Sequence, residues 1–117
     1  MAAGPPVITE RALKDACIDL AKAHGWLVFH ALPSINVRGR WATHFQGHAG
    51  FPDLVLCHPA GDLLVVELKS EIGRQTPGQK AWLACLEAAS VEVDLWRPEQ
   101  LKNGTIVRRL GKPNRKN

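Results

Sequence analysis

Apolar residues recur at helical spacing near the start of the chain. Thr9 is placed to cap a first helix, and Gly25 is placed to end it. The apolar stripe between them consists of Leu13, Ala16, Cys17, Leu20 and Ala21. Glu10 precedes Leu13 by three positions, which favours a place at the start of the buried stripe and not on the solvent side.

Runs rich in valine and leucine follow the first helix and predict a sheet. Residues 26–31 are typical of a first strand, and residues 53–58 and 63–69 are typical of a hairpin closed by a turn at 59–62. A long connection, residues 32–50, separates the first strand from the hairpin. Connections of this length without structure of their own are often functional or mobile.

The two acids of the hairpin are expected to be neighbours. Symmetric closure of the turn places Asp53 opposite Leu68, beside Glu67. Side chains alternate across a strand, so Glu67 and Lys69 share one face. Buried charges are costly, so this pair is an unusual choice for a core strand. It suits a site in which two carboxylates hold a divalent cation beside a lysine.

The second half of the chain predicts one more helix and further strands. Thr76 and Pro77 are placed to cap and begin the helix. One helix face carries Gln79, Trp82, Cys85, Leu86 and Ala89. Residues 91–96 indicate a fourth strand, and residues 105–110 indicate an added edge strand after a short turn. The order α-β-β-β-α-β predicts an α/β fold with a mixed central sheet flanked by helices.

Length and composition indicate one globular domain. The chain has 117 residues, with 45% hydrophobic and 22% charged residues, as in ordinary globular proteins. We expect a single domain at residues 7–110 and a basic flexible tail at 111–117. No apolar stretch approaches the roughly 20 residues of a membrane span, and the start lacks a secretion signal. We therefore expect a cytoplasmic protein without a membrane partner.

The three cysteines are scattered at Cys17, Cys57 and Cys85. Each lies in a predicted helix or strand. Reduced, buried thiols in a cytosolic protein are the simplest interpretation.

The charge of the chain favours a polyanionic partner. The formal net charge is +4 and the sequence pI is about 9.3. The long connection contains the residues that we expect to contact DNA, namely Arg38, Arg40, Trp41 and His44. The arginines would contact phosphates, whereas Trp41 either stacks on unpaired bases or closes the connection onto the domain.

Three short motifs occur in a fixed order along the chain: Gly50-Phe51-Pro52-Asp53, Glu67-Leu68-Lys69 and Gln79-x-x-Trp82. Together with Glu10 in the first helix, they resemble the PD-(D/E)XK nuclease superfamily, whose restriction-endonuclease-like core also has the order αβββαβ. The chain is most similar to the small standalone VRR-NUC domains of phages and bacteria. Val107-Arg108-Arg109 repeats the letters of the family name, but it follows the core, and we interpret it as a coincidence.

The resemblance implies roles for individual residues. The implied catalytic residues are Asp53, Glu67, Lys69, Gln79 and Glu10. The implied metal ligands are Asp53, Glu67, the Leu68 carbonyl and Glu10, and the implied cofactor is Mg²⁺ or Mn²⁺. Two residues keep a structural alternative. Gln79 completes a capping box with Thr76, and Glu10 is favoured in a first helical turn by the helix dipole.

The resemblance implies a metal-dependent endodeoxyribonuclease. The expected partner is branched or flapped DNA, including the Holliday junction, and the expected assembly is a homodimer, because two symmetric cuts need two sites. The expected setting is the cytoplasm of a bacterial or phage-infected cell. The alternative is a non-catalytic nucleic-acid-binding module, or a nuclease subunit that requires a partner.

Overall fold

The computed structural model describes residues 7–31, 34–35, 41–42 and 46–114. The helices are α1 (Glu10–Ala23), α2 (Pro77–Ala88), α3 (Pro98–Lys102) and α4 (Thr105–Gly111). The strands are β1 (Leu27–Phe29), β2 (Ser34–Ile35), β3 (Trp41–Ala42), β4 (Leu54–His58), β5 (Asp62–Leu68) and β6 (Glu92–Trp96). No described helix has the length and apolar character needed to span a membrane.

The main sheet has four strands in the order β1-β4-β5-β6. The β1–β4 and β4–β5 pairs are antiparallel, whereas β5 and β6 are parallel and are joined through α2. A parallel pair needs such a crossover, whereas the antiparallel β4–β5 pair needs only a short turn. The predicted α/β fold with a mixed sheet and flanking helices is therefore confirmed. The small β2–β3 hairpin lies in the connection for which no strand was predicted.

The core lies on one face of the sheet. The α1 stripe packs there against α4 and the strands, and its buried members are Leu13, Cys17 and Ala21. The sheet residues of this core are Leu54, Leu56, Leu64, Val66, Leu68 and Trp96. Helix α2 contributes no buried residue. Trp82 is accordingly only half-buried, and Cys57 and Cys85 are exposed, so the expectation of three buried thiols holds for Cys17 alone.

The last helix replaces a predicted strand. Residues 105–110 form most of α4 and not an edge strand. Ile106 and Leu110 are both fully buried, whereas Arg108 between them is exposed. In a strand all three side chains would share one face, so burial at i and i+4 without i+2 is a helical pattern. The helix begins after Gly104, whose φ of +84° ends the preceding short helix α3. A turn had been predicted where α3 lies.

The β4–β5 hairpin differs by one residue from the predicted register. His58 pairs with Asp62, and Leu54 pairs with Val66. Three residues therefore form the loop, and Gly61 adopts a φ of +99° at its end. A glycine in this left-handed conformation is the usual way to close a three-residue hairpin loop. Extension of this register places Asp53 opposite Glu67 instead of Leu68.

The end of the domain is attached to the hairpin turn. Gly111 is the last residue of α4, and the Asn114 backbone amide donates a hydrogen bond of 2.6 Å to Asp62. The remaining residues of the predicted tail, 115–117, lie outside the described residues.

Candidate active site

Asp53 and Glu67 lie at the same edge of the main sheet. Strand β4 begins at Leu54 and the antiparallel strand β5 ends at Leu68, so the acids meet where one strand starts and the other stops. One carboxylate oxygen of Asp53, Oδ2, accepts a hydrogen bond of 2.7 Å from the Leu68 backbone amide. The Asp53 carbonyl accepts one of 2.8 Å from His30 Nδ1. Both contacts fix Asp53 against its neighbouring strands.

Glu67 is fully buried, and only one of its two carboxylate oxygens has a partner. Oε2 accepts a hydrogen bond of 2.9 Å from Gln75 Nε2. Oε1 is the one buried side-chain polar atom, among the described residues, that has no hydrogen-bond partner. Burial raises the pKa of Glu67, and the charges of Asp53 and Glu10 raise it further, whereas Gln75 and Lys69 lower it. An unpartnered buried carboxylate oxygen is costly, and a cation is the natural partner for it.

A cleft of about 260 Å³ opens beside Asp53 on the side of α1. Glu10 lines it, so the structure brings the predicted first-helix acid to the site, although its side chain is exposed and does not begin the buried stripe. Arg11 and Lys14 line the same cleft. The sequence reasoning missed these two cations. Lys14 follows Glu10 by four positions and Arg11 by three, so its place on the helix surface next to both residues was a usable signal.

A second cleft, of about 740 Å³, lies between β1 and the start of α2, and Asp53 lines it as well. Gln79 and Trp82 of α2 line this cleft, as do Phe29 and Phe51. The Trp82 and Phe51 rings meet edge to face with their centroids 5.0 Å apart. Helix α2 therefore presents its predicted face towards Asp53, as the motif Gln79-x-x-Trp82 implied.

Two glutamines near the start of α2 make different contacts. Gln79 forms a capping box, because its Oε1 accepts from the Thr76 amide at 2.8 Å and its own amide donates to Thr76 Oγ1 at 3.2 Å. Gln75, and not Gln79, contacts the Glu67 carboxylate. Nothing in the hydrophobic periodicity marks Gln75, because its contact reaches back eight residues from a loop.

Two glycines set the distance between Asp53 and α2. Gly50 has a φ of +103°, and a Cβ there would lie 2.5 Å from the backbone carbon of Gly78. A Cβ at Gly78 would lie 2.8 Å from the Ala49 carbonyl oxygen. Only glycine at both positions allows this close approach of the backbones. The segment that leads into Asp53 is thereby fixed against the first turn of α2.

The remaining predicted site residues have mixed outcomes. Lys69 is half-buried, and its backbone amide donates a hydrogen bond of 3.0 Å to the Trp96 carbonyl. Its charge lowers the pKa of Glu67. Leu68 lines the smaller cleft. The predicted DNA contacts Arg38, Arg40 and His44 lie outside the described residues, and Trp41 lies in β3 without a described side chain.

The donor set at this edge suits a hard divalent cation. Asp53 and Glu67 offer carboxylate oxygens, and the Leu68 carbonyl belongs to the residue that follows Glu67 in the chain. Within the described ranges, no three His, Cys, Asp or Glu side chains form a complete metal-binding group. Mg²⁺ commonly binds through one or two carboxylates and keeps several waters, so two acids are sufficient for it. The residues present therefore fit the ion that the motif implies.

Comparison with known proteins agrees with this geometry. The family model of the VRR-NUC domain matches residues 29–100. A solved structure named VRR_NUC domain superposes with a TM-score of 0.59 at 22% sequence identity, covering 83% of this chain and 95% of that one. No curated protein matches the chain significantly. The matched region contains Asp53, Glu67, Lys69 and Gln79, and it ends before Val107-Arg108-Arg109. The chain belongs to the VRR-NUC family and is a nuclease-type domain with DNA as its partner.

Proposed function

We propose that this chain is a metal-dependent endodeoxyribonuclease that hydrolyses phosphodiester bonds in branched or flapped DNA. The observation that carries the proposal is the Glu67 carboxylate, which is fully buried with an unpartnered oxygen beside Asp53. A core position gains nothing from such a group, because an apolar residue would avoid the desolvation cost. A carboxylate that holds a cation has a reason to be there.

Asp53, Glu67 and the Leu68 carbonyl would hold Mg²⁺ or Mn²⁺. The ion, when bound, would supply Lewis-acid stabilisation of charge on the phosphate and increase the acidity of an attacking water. Lys69, close enough to act on the charge of Glu67, would orient that water and offset negative charge on the phosphate. Glu10 would support the ion from across the smaller cleft.

Gln79 would contact the water or a phosphate from the larger cleft. Its capping bond to Thr76 uses Oε1. The amide nitrogen of the same side chain has donor hydrogens to offer a phosphate oxygen. The capping role and the catalytic role are therefore compatible.

DNA would lie across the α1 side of the site. Arg11 and Lys14 line the cleft that contains Asp53 and would contact phosphates next to the cut. Further contacts would come from the connection between β1 and β4, through Arg38, Arg40, Trp41 and His44. Phosphate contacts fix the orientation of DNA without reading its sequence, which suits recognition by shape.

We propose that the nuclease acts as a homodimer on the Holliday junction or on related branched DNA. Two symmetric cuts need two sites related by a two-fold axis. Support comes from the edge strand β1, where Leu27 is 70% exposed and Phe29 is 63% exposed. Exposed apolar residues on an edge strand mark a surface that pairs with another chain. The three free cysteines suit a reducing compartment, and we place the protein in the cytoplasm of a bacterial or phage-infected cell.

The proposal is tested by incubating labelled four-way junction, flap and linear duplex DNA with wild type and Glu67→Gln, in Mg²⁺, Mn²⁺ or EDTA. We expect metal-dependent cutting by wild type alone, strongest on branched substrates. Equal rates on linear duplex would remove the structure selectivity. Binding of DNA without cutting of any substrate would favour the alternative, a module or subunit that requires a partner. Light scattering after gel filtration tests the dimer, and a monomer at micromolar concentration would contradict it.

A further inference from the structure

We infer that Gln75 is a positioning residue, which holds the Glu67 carboxylate in the orientation that receives the metal ion. The inference rests on the proposed function, because it assigns Gln75 to the metal site proposed there. Gln75 precedes the capping box of α2 and is not part of any of the three sequence motifs.

The two carboxylate oxygens of Glu67 differ in their hydrogen bonds. Gln75 Nε2 donates to Oε2 at 2.9 Å, whereas Oε1 has no partner within the described structure. A donor on one oxygen fixes rotation about the last bond of the side chain. The direction of the other oxygen is then fixed as well. Donors of this kind, next to a ligand, commonly set its orientation and the affinity of a metal site.

Asp53 shows the same arrangement with a different donor. Its Oδ2 accepts from the Leu68 amide at 2.7 Å. Each of the two acids therefore has one oxygen bound to an N–H group of the protein. For Asp53 the donor is backbone and cannot be lost by substitution. For Glu67 it is the side chain of Gln75, so this position alone can be tested by mutation.

The loop that carries Gln75 is itself held in place. Arg97 Nη1 donates to the carbonyl oxygens of Ser70 at 2.6 Å and Gly73 at 2.8 Å. The Gly73 amide donates to Ser70 Oγ at 3.0 Å. Thr76, directly after Gln75, is fixed by its capping box. The loop from β5 to α2 is thus anchored on both sides of Gln75, as a positioning residue requires.

The chemistry of the donor also suits a cation site. An amide donates a hydrogen bond without adding charge, so it does not offset the negative charge that Glu67 would offer the ion. An arginine or a lysine at this position would bind the carboxylate more strongly but would repel a divalent cation. A neutral donor orients the ligand and leaves the electrostatic attraction intact.

The experiment measures Mn²⁺ binding in the absence of DNA by titration calorimetry, for wild type, Gln75→Met and Glu67→Gln. Methionine matches the length of glutamine and cannot donate. We expect Gln75→Met to bind Mn²⁺ about 10-fold more weakly, within the range for loss of a group that orients a metal ligand. Asn103→Ala is the control, because it removes a side-chain amide whose described hydrogen bond is with the Thr105 backbone amide and not with the acid pair or Arg97. It should bind like wild type.

Cleavage kinetics separate positioning from loss of structure. For Gln75→Met, the Mn²⁺ concentration for half-maximal cleavage should rise about 10-fold, while the rate at saturating metal should fall by less than about 3-fold. A merely structural role would lower the saturated rate and the melting temperature in EDTA. Gln75→Ala, which also removes the donor, repeats the measurement with a smaller side chain.

The outcomes distinguish the inference from the function on which it rests. Wild-type affinity in both Gln75 variants, with binding lost in Glu67→Gln, would overturn the inference and leave the metal site in place. Absence of Mn²⁺ binding in wild type would overturn the proposed metal-dependent function and the inference with it. Weaker binding in both variants, restored cleavage at high metal and unchanged melting in EDTA would establish Gln75 as the positioning residue.

Discussion

Strand β5 carries two fully buried acids, and their surroundings differ. Asp62 begins the strand, and both of its oxygens accept hydrogen bonds, from Arg109 at 2.8 and 2.9 Å and from the Asn114 amide at 2.6 Å. Glu67 lies near the other end of the strand. Within the described structure one of its oxygens is bonded, to the neutral side chain of Gln75, and the other has no hydrogen-bond partner. The same strand thus holds one acid in an ion pair and one for which the described residues supply no ion pair. We call Asp62 the compensated acid and Glu67 the uncompensated acid.

The satisfied acid serves the fold. Arg109 pairs with Glu92 at 2.9 Å as well as with Asp62, and its guanidinium lies 5.4 Å from the centroid of the Trp26 ring. This cluster attaches α4 to the hairpin turn and to β6. Glu67 makes no comparable link. A buried acid whose two oxygens both accept hydrogen bonds is typical of a structural role. The Glu67 oxygen that has no hydrogen-bond partner indicates a place for a ligand.

The largest effect should come from removing the uncompensated acid. We expect Glu67→Gln, and likewise Asp53→Asn, to lower the cleavage rate by at least about 10³-fold, equivalent to about 4 kcal/mol of transition-state stabilisation. Glu67→Gln should leave the melting temperature in EDTA unchanged or higher, because it removes a buried charge without a partner. Single-turnover rates and thermal unfolding in EDTA measure the two effects. Full activity in either variant would remove that residue from the site.

Disrupting the ion pair of the compensated acid, Asp62, should lower the stability of the fold and leave cleavage unchanged. Arg109→Met removes the guanidinium that pairs with the buried Asp62 carboxylate, and we expect a loss of about 3–5 kcal/mol in the free energy of unfolding. Adding Asp62→Asn should recover part of that loss, since it removes a buried charge. Cleavage by the folded fraction should be unaffected. Urea denaturation of both single variants and the double variant gives the coupling, and additive losses would refute the ion-pair account.

The backbone that fixes Asp53 offers a third comparison. Gly50 and Gly47 both have φ near +100°. A Cβ at Gly50 would lie 2.5 Å from the backbone carbon of Gly78, whereas a Cβ at Gly47 would meet none of the described residues within 4 Å. Gly47→Ala should cost about 1–2 kcal/mol through its left-handed conformation. Gly50→Ala should cost a further 1–3 kcal/mol, roughly, through overpacking. Equal unfolding free energies in the two variants would show that the approach to Gly78 is not tight.

The smallest effect concerns the cations beside the uncompensated acids. Arg11→Ala and Lys14→Ala should each weaken DNA binding several-fold, and each should reduce the slope of log affinity against log salt by about 1. Lys22→Ala is the matched control, because Lys22 lies in the last turn of the same helix and does not line the cleft. Fluorescence anisotropy in EDTA measures binding without cleavage. An unchanged salt slope would place the DNA elsewhere.

Much of the fold and the meeting of the acids could be predicted from the sequence. The stripe of α1 and the alternating hairpin are local periodic patterns, and the hairpin alone brings Asp53 close to Glu67. The prediction of residues 105–110 as a strand was wrong, because Ile106 and Val107 favour a strand locally. In the structure Ile106 and Leu110 are buried against the core while Arg108 between them is exposed, as in a helix. Tertiary packing overrides propensity in such short segments.

The supporting contacts of the site could not be predicted. Gln75 reaches Glu67 across a loop whose course depends on Arg97, 22 residues further along the chain. Arg109 was named within Val107-Arg108-Arg109, which we interpreted as a coincidence, yet it is half-buried between two acids. Neither contact leaves a periodic trace, because both join side chains that are distant in sequence. Asp62 and Glu67 can be distinguished only by the hydrogen bonds that their carboxylate oxygens make in the structure.

The most direct test of this contrast is the melting temperature of wild type and Glu67→Gln during titration with Mn²⁺. An ion present at 100-fold its Kd stabilises the folded state by about 2.7 kcal/mol. We predict that wild type shows this concentration-dependent rise and that Glu67→Gln does not, while both melt similarly in EDTA. Equal rises in the two proteins, or no rise in wild type, would contradict the assignment of the unpartnered Glu67 oxygen to a metal ion.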